Sequence, residues 1–174
     1  GLAGLTNYYF WVRTNCGFGD FGEWVALDNS GSPFFTTLTQ LNYCASGSTG
    51  NQNYFTNFVT TGAITNVSNP TGYAVGGYGN YTSMTITQAQ NGTVTVNTSY
   101  NDMAGGVGIA MWVDWNQDGT FDNTTERVYN SAAWISIPPV VTFTVPPTAV
   151  LGNTRMRIVV DWNLTSPNAC GSMT

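Results

Sequence analysis

At 174 residues the chain has room for one ordinary domain, or for one domain and part of another. Its 42% hydrophobic and 14% aromatic residues provide a packed core and argue against disorder. Only 7% of residues are charged, the net charge is -5, and the four cations are Arg13, Arg127, Arg155 and Arg157. That balance excludes the basic stripe a nucleic acid backbone requires and the polybasic patch an anionic membrane requires.

There is no His and no Lys, so the polar surface must come from Asn, Thr, Ser, Gln and Gly. Such neutral surfaces are common outside the cell, and the expected localisation is secreted, at the cell surface. No stretch approaches the ~20 apolar residues of a membrane span, so no membrane insertion is expected. The opening Gly1-Leu2-Ala3-Gly4-Leu5 has no basic n-region, which places any export signal outside this stretch.

In chain order, the first block is Gly4-Leu5-Thr6-Asn7-Tyr8-Tyr9-Phe10-Trp11-Val12-Arg13. Tyr8, Phe10 and Val12 alternate with Tyr9, Trp11 and Arg13, the period-two pattern of a half-buried strand. The block resembles the sixth strand of a fibronectin type III domain with its tyrosine corner, and Tyr8 is the matching tyrosine. Residues 22–27 and 32–37 would complete that domain's end. Two strands alone cannot bury their own apolar faces. Residues 1–38 therefore read as the C-terminal strands of a fibronectin type III-like β-sandwich, with a lone hairpin packed on the second domain as the alternative. A composition break near residues 36–42 sets the boundary, and residues 39–174 form the second domain.

The second block continues in period two. Met84 and Ile86 alternate with Thr85 and Thr87. Val94 and Val96 alternate with Thr93, Thr95 and Asn97. The rows Val107-Ile109-Met111-Val113, Val141-Phe143-Val145 and Met156-Ile158-Val160 follow. Turn signals separate them: Asn91-Gly92, Gly105-Gly106, Asp118-Gly119, Pro138-Pro139, Pro146-Pro147 and Gly152-Asn153. No long segment has a helical period. The expected fold class is all-β, an antiparallel β-sandwich module preceded by the tail of another.

The sharpest local signal is Asp114-Trp115-Asn116-Gln117-Asp118-Gly119-Thr120-Phe121-Asp122, followed by Glu126. Oxygen side chains recur at Asp114, Asn116, Asp118 and Asp122. Gly119 permits a sharp turn, Thr120 has a backbone carbonyl to offer, and Glu126 is a closing carboxylate. Hard cations such as calcium take oxygen ligands in this layout. The plainer alternative is an Asp-Gly hairpin turn with solvated carboxylates. Four of the nine acids crowd into this turn, however, and would repel one another without an ion. Glu126 falls one position later than the closing Glu of an EF-hand, and strands flank the loop, so the loop is EF-hand-like in an otherwise different domain. The tetrapeptide Val113-Asp114-Trp115-Asn116 is echoed by Val160-Asp161-Trp162-Asn163. Asp161 would reach the acid loop only if the two strands put their ends together.

Several of these features together resemble the GEVED domain of very large surface proteins from Bacteroidetes-type bacteria. The matching points are Tyr43-Cys44, Gly72-Tyr73 and Asn80-Tyr81-Thr82, then the 112–121 run with Glu126-Arg127. Later come Pro146, Ala149, Gly152-Asn153-Thr154-Arg155-Met156-Arg157 and Cys170-Gly171. In the family a Gly-Glu-Val-Glu-Asp-Tyr strand follows Cys170-Gly171, so the module is expected to lack its last strand here. The resemblance implies a Cys44–Cys170 bridge between the module's two ends, with two buried free thiols as the alternative. A loop of that length adds roughly 4–5 kcal/mol in the chain-entropy model. Cys16 is left over from the count of three.

The resemblance implies a non-catalytic structural or adhesive module of a multidomain surface protein, stabilised by calcium and a disulfide. Its expected partners are neighbouring domains of the same polypeptide, surface glycans or copies of itself. Enzymatic readings find little to use: without His or Lys there is no Ser-His, Cys-His or Schiff-base chemistry. A second reading, from a different class, is a carbohydrate-binding accessory module of a secreted hydrolase. Its platform would use Trp115, Trp134, Trp162, Tyr73, Tyr78 and Tyr81.

Overall fold

The computed structural model describes residues 7–8, 11–13, 15–17, 20–21, 25–26, 35–36, 41–102 and 105–173. The chain divides into two compact units, Gly1–Leu41 and Asn42–Thr174.

Among the described residues of the first unit, short strands pair antiparallel: β1 (Asn7–Tyr8) with β6 (Phe35–Thr36), β2 (Trp11–Val12) with β5 (Val25–Ala26), and β3 (Asn15–Gly17) with β4 (Asp20–Phe21). The hydroxyl contact expected of Tyr8 in a tyrosine corner lies outside the described residues.

The second unit is an antiparallel β-sandwich. Its strands are β7 (Ser46–Ser48), β8 (Tyr54–Thr61), β9 (Ser68–Pro70), β10 (Thr93–Asn101), β11 (Gly108–Val113), β12 (Arg127–Asn130), β13 (Val140–Thr144), β14 (Met156–Asp161) and β15 (Gly171–Met173). One sheet has the order β13-β10-β8-β9 and the other β12-β11-β14. β10 alternates as its sequence demands, with Val94, Val96 and Thr98 buried. Those valines meet Val141 of their own sheet and Val107, Ile109 and Met111 of the other, forming the main core.

β11 departs from simple alternation because it is buried on both faces. Ile109 and Met111 face the main core. Ala110 and Trp112 belong to a second cluster with Val159, Ala169 and Met173, and Phe121 packs against it. That second layer exists because β15 pairs parallel with β7 and brings Met173 with it. A strand covered on both sides reads as a continuous apolar run, which is what Gly108-Ile109-Ala110-Met111-Trp112-Val113 is.

Met84 to Thr87, expected as a strand, forms only an isolated bridge between Thr87 and Thr65. Next to it, Gln88 Nε2 donates to the carbonyls of Gly62 (3.0 Å) and Thr93 (2.6 Å).

Candidate functional site

The acid loop begins where β11 ends. Asp114 is fully buried, and its N–H extends the ladder to the Arg155 carbonyl at 3.0 Å. Its carboxylate turns back into the loop. Oδ1 accepts from the Asp118 N–H (3.2 Å), and Oδ2 accepts from the Gly119 N–H (3.0 Å). Gly119 adopts φ 82°, a left-handed conformation that glycine takes without strain, as the turn requires.

Asn116 and Asp118 close on the same point. Asn116 Oδ1 accepts from the Asp118 N–H at 3.0 Å, and Asn116 Nδ2 donates to Asp118 Oδ2 at 2.9 Å. Three predicted ligands, Asp114, Asn116 and Asp118, are thereby gathered around one backbone amide. Thr120 acts through its N–H and hydroxyl, which donate to Asp118 Oδ1 at 2.8 and 2.6 Å. These Thr120 bonds hold the Asp118 carboxyl below its ordinary pKa, and the neighbouring Asp122 charge works against them.

Asp122 and Glu126 form a reciprocal pair around the next turn. Asp122 Oδ1 accepts from the N–H groups of Thr124 (2.8 Å) and Thr125 (2.7 Å) and from the Thr125 hydroxyl (2.8 Å). Bonds from Thr125 and then Thr124 hold its pKa low. Glu126 Oε2 reaches back to the Asp122 N–H at 2.9 Å, in the manner of a capping box. Glu126 is only 2% exposed, and its other oxygen, Oε1, is buried with no hydrogen-bond partner. A buried carboxylate oxygen without a partner is costly, and a cation would relieve it. Among the described residues, no three Asp, Glu, His or Cys side chains stand close enough to hold a metal ion. The fit to calcium is therefore partial: one half of the ligand set converges and one buried oxygen waits, while Asp118 and Asp122 are engaged by threonines.

The loop is tied to the rest of the unit by contacts that the sequence reading missed. The Tyr43 hydroxyl donates to Asp114 Oδ2 at 2.7 Å. Burial, reinforced by this bond, pushes the Tyr43 pKa up to about 12. The Tyr43 ring stacks on Phe121 at 5.2 Å, with the Arg155 guanidinium 4.7 Å from the Tyr43 ring centre. Arg157 lies 4.7 Å from the Phe121 ring centre and is only 8% exposed. It donates to the carbonyls of Ala169 (2.7 Å) and Cys44 (2.9 Å) and to Cys44 Sγ (3.3 Å). Burial pulls its pKa down from the ordinary arginine value. The signal was present in Arg155-Met156-Arg157: two cations at period two share one face of a strand whose neighbours are apolar.

Cys44 and Cys170 are bridged, with Cα atoms 5.6 Å apart at a sequence separation of 126. That spacing suits an unforced disulfide. Arg157 and the bridge together hold both ends of the unit at one place.

The echoed tetrapeptides lie on neighbouring strands but not at neighbouring ends. β14 runs antiparallel to β11, with Asp161 opposite Gly108 and Met156 opposite Val113. Asp161 is therefore about 20 Å along the strands from Asp114 and takes no part in the acid loop. It caps the Asn163 N–H at 2.7 Å. The platform residues differ in exposure. Trp115 packs on Phe143 at 6.0 Å, whereas Trp134, Trp162, Tyr73, Tyr78 and Tyr81 are each exposed.

Fold and site together define a disulfide-closed β-sandwich module with one acid loop. Residues 108–174, from the first residue of β11 onward, match the family model of the GEVED domain. No curated protein and no solved structure matches the chain.

Proposed function

We propose that the chain is a non-catalytic, extracellular module with a structural and adhesive role in a large multidomain surface protein of a Bacteroidetes-type bacterium. The observation that carries this reading is the Cys44–Cys170 bridge, which joins the two ends of the second unit. Such bridges persist in oxidising, extracytoplasmic compartments. The GEVED match over residues 108–174 supports it. So does the neutral composition, which lacks both His and Lys. Its partners are neighbouring domains of the same polypeptide, among them the fibronectin type III domain whose last strands residues 1–38 resemble, and surface glycans or copies of itself. Among the described residues, no helix is long and apolar enough to cross a membrane.

Calcium is the proposed cofactor of the acid loop. Asp114, Asn116, Asp118 and Asp122 would supply side-chain oxygens to it, Thr120 its backbone carbonyl and Glu126 a closing carboxylate. The support is the unpartnered buried oxygen of Glu126 and the crowding of four of the nine acids into one turn. Bound only in the folded state, the ion would stabilise by mass action. Calorimetric titration at millimolar calcium should show binding, and chelator should lower the melting temperature. Asp118→Ala should remove most of that response while the β-type circular dichroism spectrum persists. Magnesium should substitute poorly, because it demands tighter octahedral geometry. A melting temperature indifferent to both calcium and chelator would leave the loop a hydrogen-bonded turn.

A second reading, a carbohydrate-binding accessory module of a secreted hydrolase, is favoured by one observation. Five of the six candidate platform aromatics are exposed. The two readings part on what else the parent polypeptide carries, a catalytic domain or repeated modules.

A further inference from the structure

The connection from β9 to β10 covers residues 71–92 and carries only a 3-10 turn at Val75–Gly77 and the single Thr65 to Thr87 bridge. Compact domains rarely keep so long a connection without strands unless it has work to do. Its first part reads Thr71-Gly72-Tyr73-Ala74-Val75-Gly76-Gly77-Tyr78-Gly79-Asn80-Tyr81-Thr82-Ser83. Tyrosines spaced by Gly, Ser and Asn make up the composition of recognition loops, where rigid amphipathic rings do the binding. Tyr73, Tyr78 and Tyr81 are 43%, 41% and 42% exposed, and Val75 at the tip is 93% exposed.

The rings are fixed before any ligand arrives. Tyr73 meets Tyr54 edge-on at 5.9 Å. The Tyr81 hydroxyl is hydrogen-bonded to Thr71, and its ring lies on the backbone of Gly79, where an added Cβ would sit 2.5 Å from Tyr81 Cε2. Gly77, at φ +69°, is pressed so closely on β7 that a Cβ there would stand 2.3 Å from Ser48 Cβ. Asn80 Oδ1 accepts from the Thr82 N–H at 3.1 Å. Rings held this way lose little freedom on binding.

The chemistry of the surface selects its ligand. No charged residue occurs between Asp28 and Asp102 in the sequence. The loop therefore offers aromatic faces, hydroxyls, amides and backbone, and nothing to pair with a phosphate, a carboxylate or an amine. An uncharged polyhydroxylated ligand fits, because its C–H face stacks on rings while its hydroxyls meet the polar groups. We propose that residues 71–83 form a binding site for a neutral glycan, stacked on Tyr73, Tyr78 and Tyr81. This rests on and deepens the adhesive part of the function proposed above.

The test uses the full chain and a panel of immobilised uncharged oligosaccharides of gluco, xylo, manno and galacto configuration. Retention on at least one of them is expected, with little dependence on salt and none on chelator. Tyr73→Ala and Tyr81→Ala should each weaken it by about tenfold or more, the loss typical of a truncated anchor ring. Ile137→Ala, an exposed apolar residue outside the loop, should leave it unchanged, and circular dichroism should show all three variants folded. The proposal is overturned if no uncharged oligosaccharide is retained, or if loss follows Ile137→Ala rather than the tyrosines. Binding abolished by chelator would put the sugar on the acid loop instead. Self-association in sedimentation that disappears in Tyr73→Ala would make the occupant a second copy. The calcium response of the melting temperature, measured on the same samples, tests the acid-loop reading separately.

Discussion

The second unit has a neutral part and a charged part, and they are organised by different physics. Residues 42–101 carry no charge, bury Val94 and Val96, and leave their tyrosines exposed in a long connection. Residues 102–173 carry every charge of the unit and bury Asp114, Glu126, Arg157 and Asp161. Burying a charge is unfavourable unless it is paired or hydrogen-bonded. The second part must therefore hold these groups by directed bonds, and it also supplies most of the apolar core, Ile109, Met111 and Trp112 among it. The first part buries no charge; it adds Val94 and Val96 to that core and Cys44 to the disulfide. The contrast teaches where function can sit: an ion in the part built from fixed oxygens, a neutral ligand on the part with none.

The strongest way to break this comparison is to open the staple. Reducing Cys44–Cys170, or replacing both cysteines with Ala, releases a closed loop spanning a sequence separation of 126 residues. The chain-entropy model gives a loss of roughly 4–5 kcal/mol, which for a domain of this size lowers Tm by about 10–20 °C. Differential scanning calorimetry with and without reductant checks it. An unchanged Tm would mean that Arg157 and the β7–β15 pairing hold the ends together unaided.

Next in size is Arg157 itself. Arg157→Leu keeps an apolar stem over Phe121 but strands the carbonyls of Cys44 and Ala169. The expected cost is about 2–4 kcal/mol, from buried acceptors left unsatisfied. Arg157→Lys should recover only part of it, because an ammonium cannot span both carbonyls while lying flat on a ring. In the neutral part, Val75→Ser at the exposed loop tip should fall within about 0.5 kcal/mol of wild type. Urea denaturation of the three variants separates these outcomes. Equal losses for Arg157→Leu and Val75→Ser would remove the distinction between the two parts.

Much of this was readable in the sequence, and what was not has a physical cause. Alternation located β10, β11, β13 and β14 because each has one face on a shared core. The acid loop was legible as a turn because Asp-Gly and spaced oxygens act over a few residues. Arg157 was missed as a buried group, since alternation alone assigns the polar face to solvent. It cannot register a second layer brought by β15 from far along the chain. Tyr43 was missed for the same reason: its hydroxyl meets Asp114 across 71 residues. Met84 to Thr87 looked like a strand because four residues can alternate by composition, whereas only Thr87 makes a bridge, to Thr65.

The smallest effect expected also separates the two parts, through pH. With no carboxylate, His or Lys in residues 42–101, that part has little to titrate except phenols. Tyr100, at the end of β10, donates to the Ile135 carbonyl at 3.0 Å and so ties one sheet to the segment bordering the other. Burial raises its pKa above the ordinary tyrosine value, with further pushes from Asp102 and Tyr129. Burial raises Tyr129 as well. A raised phenol favours the protonated folded state. Its contribution is complete below the unfolded pKa of 10.0 and disappears as pH rises through the higher folded value. Stability should therefore fall along an alkaline limb beginning near pH 10. Tyr100→Phe should cost about 1 kcal/mol at neutral pH for the lost bond, and it should also flatten that limb. Thermal melts from neutral to alkaline pH, alongside tyrosinate absorbance, follow both. If wild type and Tyr100→Phe fall in parallel at high pH, the alkaline loss belongs to the other raised phenols, Tyr43 and Tyr129, and Tyr100 has no part in it.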